Sequence, residues 1–196
     1  MSIAIAGDPR RFSIITIAEG NGRAPAWTSR LHWPRLGDDH LALEVEGADE
    51  RAIWAARLDD AVLRADRAVL LVAEGLGCVA TSWWARLSPR HYVDRVAGAV
   101  LIDPADASAD RPGGALFASP DVRLPFASVV LDGRGDGSAD ALVASWGSQR
   151  LAGTRQRTRV ETPWRQATRL IGRLTSAVVE RDVARARALR GLRLVE

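Results

Sequence analysis

Short apolar runs of four to eight residues recur along this chain, and longer stretches with helically spaced apolar residues separate them. Strands buried on both faces read as near-continuous apolar runs, and helices joining them cross from one parallel strand to the next. The alternation therefore predicts an α/β domain: a mainly parallel central sheet in a three-layer sandwich. Strands are expected over residues 13–18, 40–45, 68–73, 96–103, 127–132 and 149–152. A helix is expected over residues 49–65, where Ile53, Trp54, Leu58, Val62 and Leu63 fall at helical spacing and Asp49 and Glu50 complement the N-terminal dipole. A second helix runs from Leu76 to the Ser88-Pro89 stop. A third is capped near Ser138 or Asp140.

With 196 residues, 47% of them hydrophobic, one well-filled core and one domain are expected. Residues 105–125, rich in Pro, Gly, Ala and Asp, form a loop long enough to be a functional segment over one sheet edge. The net charge is +3, carried by arginine without lysine. An arginine-rich C-terminal helix is expected at about residues 163–190, including Arg165, Arg169, Arg173, Arg181, Arg185, Arg187 and Arg190. Glu180 and Asp182 interrupt it, so it reads as a solvated helix whose packing stripe could serve a homodimer; no nucleic-acid recognition module accompanies it. Cys78 is the only cysteine, which excludes an internal disulfide. No apolar run reaches membrane-spanning length, and a cytoplasmic protein without membrane partners or cofactors is expected.

The stretch VLLVAEGLGCVATSWWARL, residues 69–87, reads as strand, tight turn and helix. Such a turn at the sheet's C-terminal edge exposes one side chain and aims the following N–H groups into a cleft. Together with RVAGAVLIDPAD from Arg95, LPFASVVLDGRGD from Leu124 and the late AGT and PW segments, it resembles the small serine hydrolases related to retinoblastoma-binding protein nine. EGNGRAPAWTSRL is similar to that family's glycine-rich loop after the first strand, with Trp27 at its aromatic position. The resemblance covers roughly residues 14–174 and implies a compact α/β-hydrolase fold.

The family usually has VAHSLGC at the turn, APAD after the next strand, LPFPS leading to the strand before the catalytic aspartate, and GHIN bearing the histidine. Here Glu74 stands for the histidine of the first motif and Gly75 for its nucleophilic serine, while Leu76, Gly77 and Cys78 remain. Asp136 matches the triad aspartate; Thr154 falls where the base histidine belongs and Gln156 where the asparagine of GHIN belongs. The resemblance thus implies a degenerate triad at Gly75, Asp136 and Thr154. Glycine has nothing to attack a carbonyl with, and threonine cannot take a proton near neutral pH as imidazole does. The Leu76 N–H and a donor from the Asn21-Gly22 loop could still form an oxyanion hole.

Alternative nucleophiles are poorly placed. Cys78, about one turn into the helix, is expected to face the core, Ser82 lies a turn further, and Ser138 reads as a helix cap. His32, His40 and His91 lie away from the base position and form no zinc motif. Glu19, Glu74, Asp103, Asp132 and Asp136 fall at strand C-termini, the edge where open α/β sheets bind ligands. If they converge, the cleft is acidic and suits an amine, a guanidinium or a hard cation; otherwise several turn outward or pair with arginines such as Arg23 and Arg134. Trp27 is the best candidate for a pocket wall; Trp54, Trp83 and Trp84 read as packing residues, and Trp33 lies in the first connection.

Three functions stay open on sequence. The first is a non-catalytic hydrolase homologue binding a small molecule or a protein, and the second is an active acyl-ester hydrolase with an unconventional nucleophile. The third is a nucleic-acid-associated protein.

Overall fold

A computed structural model of the chain describes residues 12–20, 39–104, 115–118, 122–132 and 139–152. Its strands are β1 (Phe12–Glu19), β2 (Asp39–Leu43), β3 (Ala68–Glu74), β4 (Val96–Ile102), β5 (Ser128–Asp132) and β6 (Gln149–Ala152). All neighbours pair in parallel, in the order β2-β1-β3-β4-β5-β6. The helices are α1 (Ala48–Arg64), α2 (Leu76–Leu87), α3 (Arg90–Val93) and α4 (Asp140–Trp146), with a 3-10 turn at Ala115–Phe117. This is the predicted parallel α/β architecture. The chain steps from β1 outward to β2, then returns over β1 through α1 to begin β3. Strand order therefore reverses between β1 and β3, the kind of switch point at whose carboxyl ends open α/β sheets bind ligands.

The strands sort their residues by alternation. Ile15, Ile17, Val69, Leu71, Ala73, Ala99, Leu101 and Val130 face one side, where α1, α2, α4 and the 3-10 turn pack on them. Phe12, Ile14, Leu70, Val72, Val100 and Val129 face the other side and are also buried. The C-terminal helix expected over residues 163–190 lies outside the described residues.

Helix α1 starts at Gly47, where the Glu50 carboxylate accepts the backbone N–H of Gly47 at 3.0 Å, half of a capping box. At its end, the Arg95 guanidinium donates to the carbonyls of Val62 and Ala65. Its buried stripe is Trp54, Leu58, Ala61 and Val62. Ile53 and Leu63, expected on that stripe, are instead 55% and 47% exposed. Each lies one residue, and so about 100°, beyond an end of a stripe already filled by Trp54 and Val62. Helix α2 stops as expected before Pro89, with Ser88 N–H bonded to Trp84 O at 2.9 Å. Pro89 then caps the one-turn helix α3.

Helix α4 departs from its expected cap. Ala139 is the N-cap residue and supplies no side-chain bond, while Asp140 is already inside the first turn. Its carboxylate is engaged by Arg150 instead. Ser138 lies outside the described residues.

Within the expected long loop, the 3-10 turn reaches the core. Phe117 is fully buried, edge-on to Trp54 at 5.8 Å and to Trp83 at 5.7 Å between ring centroids. Arg51 lies over the Trp83 ring at 4.8 Å and donates to the Leu116 carbonyl, fixing the turn to α1 and α2 together. Trp84 is fully buried and donates from Nε1 to Asp59 at 2.7 Å.

Gly77 fixes the approach of α2 to β1. A Cβ built there would lie 2.8 Å from the Ile17 carbonyl oxygen, a backbone atom that cannot swing aside. Gly77→Ala is therefore expected to cost about 1–3 kcal/mol in urea unfolding, as overpacking does. A neutral or stabilising result, as helix propensity alone would favour, would contradict this close contact.

Candidate functional site

Strand β3 ends at Glu74, and the chain turns into α2 through a single residue, Gly75, at φ 59 and ψ −125. Glycine takes this conformation without steric cost, whereas any other residue holds it under strain. Gly75 N–H donates to Ile102 O at 3.1 Å, tying the turn to the end of β4, and Gly75 O accepts from Cys78 N–H at 3.2 Å. The Leu76 and Gly77 N–H groups open the helix, where no intrahelical carbonyl serves them. The turn is thus a strand-to-helix elbow at the topological switch point, the position that presents a nucleophile in hydrolases of this layout. Here it carries no side chain.

Among the described residues, a Cβ at Gly75 would have one neighbour within 4 Å, the Glu19 Oε2 at 3.9 Å. Glu19 is exposed at the carboxyl end of β1, so sheet order brings its carboxylate to the elbow. An open groove of about 470 Å³ continues from Glu19 and Gly20 past Leu43, Glu44 and Val45 to Glu46 and Glu50. Carboxylates dominate its lining, with Glu50 already bonded to the N–H groups of Glu46 and Gly47.

Glu74 and Asp103 both act electrostatically on Cys78, which places them at the β3 and β4 side of the elbow. Asp103, with its N–H on Leu131 O at 2.9 Å, has a φ of 43, left-handed backbone that aspartate tolerates better than most residues. Asp132 departs from the expectation of a cleft residue: it is 3% exposed and ion-paired with Arg150 on β6. The alternative of an arginine partner does occur for it, through a residue distant in sequence rather than through Arg23 or Arg134. Asn21, Gly22, Trp27, Asp136 and Thr154 lie outside the described residues, as do His32 and Trp33.

Two of the alternative nucleophiles, Cys78 and Ser82, are enclosed. Cys78 is fully buried, and its thiol donates to Ala73 O at 3.3 Å and Ile102 O at 3.5 Å. Burial, reinforced by the carboxylates of Glu74 and Asp103, pushes the thiol pKa well above its ordinary value, so the thiolate is scarce near neutral pH. In the folded protein Cys78 is expected to resist iodoacetamide at pH 8 and to react once guanidinium unfolds the chain; rapid native alkylation would contradict the burial. Ser82 is 1% exposed, and its hydroxyl has no hydrogen-bond partner among the described residues. His40 bonds Thr16 Oγ1 through Nδ1 at 2.7 Å on β2, and His91 is an exposed residue stacked on Tyr92. Trp54 and Trp84 pack in the core as expected, with Trp83 partly buried against it. Among the described residues no group of three or more His, Cys, Asp or Glu side chains could hold a metal ion. No helix among them is long and apolar enough to cross a membrane.

Comparison with known proteins agrees with this geometry. The serine hydrolase family profile matches residues 25–155. Among curated proteins, none matches the chain. In the solved structures it is similar to a presumed YdeN-like hydrolase from Pectobacterium atrosepticum, with a TM-score of 0.55 at 12% identity over 86% of this chain and 92% of that one. It is also similar to a hyperthermophilic esterase from the archaeon Pyrobaculum calidifontis, with a TM-score of 0.51 at 14% identity over 88% of this chain and 77% of that one. At such identities these likenesses carry the fold and no more. The match of the family profile across most of the chain and the six-stranded parallel sheet with its strand-to-helix elbow lead to one conclusion: this chain belongs to the serine hydrolase family and has the α/β-hydrolase fold.

Proposed function

We propose that this chain is a catalytically silent member of the serine hydrolase family, which acts by binding a small molecule or a protein at its crevice rather than by turning over an ester. The observation that carries this reading is Gly75 at the apex of the elbow, with φ 59 and no side chain to present. Acyl transfer by this family's chemistry begins with an oxygen nucleophile deprotonated by a base. Gly75 supplies no such atom, and Thr154 occupies the sequence position of the base.

Electrostatics points the same way. The Glu19 carboxylate beside the apex opposes the negative charge that develops on a carbonyl oxygen during acyl transfer. The carboxylates along the adjoining groove likewise disfavour anionic ligands. Enclosure of Cys78 and Ser82 removes the nearest substitutes for the missing serine. The purified chain is therefore expected to hydrolyse p-nitrophenyl acetate and butyrate no faster than buffer with an equal mass of an unrelated protein. Saturable turnover that survives repurification would overturn the proposal.

A further inference from the structure

We draw no further inference here: the strongest candidate, the carboxylate-lined groove at the carboxyl ends of β1 and β2 that runs from Glu19 past Glu44 to Glu46 and Glu50, belongs to the site already described, and nothing in the structure besides its acidic side chains points to what it binds.

Discussion

The Glu74→His/Gly75→Ser/Thr154→His variant is expected to hydrolyse short-chain nitrophenyl esters roughly 10²–10⁴-fold faster than the unaltered chain, the contribution a positioned general base makes. Among the described residues a Cβ at Gly75 meets only Glu19 Oε2, at 3.9 Å, an ordinary van der Waals contact that leaves the serine room there. The backbone at φ 59 imposes a strain of about 1–3 kcal/mol on any residue other than glycine, so the variant should also melt lower. Glu19 limits the gain, because its carboxylate faces charge developing at the elbow. Adding Glu19→Gln should therefore raise kcat further. A folded variant no more active than the unaltered chain would show that more than the nucleophile and base is missing.

Phe117→Ala is expected to destabilise the protein by about 3–5 kcal/mol, with a Tm lower by roughly 6–20 °C. The ring is fully buried and is held edge-on by both Trp54 and Trp83, so truncation opens a cavity between α1 and α2 and removes two aromatic contacts. It also releases the turn whose Leu116 carbonyl accepts from Arg51. Val122→Ala, at a residue 55% exposed, is the matched control and should change stability by no more than about 0.5 kcal/mol. A loss below about 1 kcal/mol for Phe117→Ala would mean that the turn does not anchor to the helices.

Most of the sheet is legible in the sequence because its strands obey simple statistics. AVLLVA and VAGAVLI are unbroken apolar runs, and strands buried on both faces have to be. The elbow is legible too, since Gly75 and Gly77 sit between such a strand and an apolar helix. What escapes a sequence reading depends on contacts between distant residues. Asp132 looks like one more acidic residue at a strand end until Arg150 reaches it from the neighbouring strand. Phe117 sits in a stretch whose Pro, Gly and Asp content hides it, although Ala115-Leu116-Phe117 is an apolar triplet that a polar loop has little reason to carry. Ile53 and Leu63 mislead because a stripe of helical spacing has two plausible edges, and only tertiary packing selects the true one.

The most direct measurement of the central claim is intact-mass analysis of the unaltered protein after prolonged exposure to a fluorophosphonate probe. A chain whose elbow carries glycine is expected to keep its mass, while the Glu74→His/Gly75→Ser/Thr154→His variant gains one phosphonyl adduct on the serine introduced at the elbow. A stoichiometric adduct on the unaltered protein would contradict the account, and its position would identify the nucleophile.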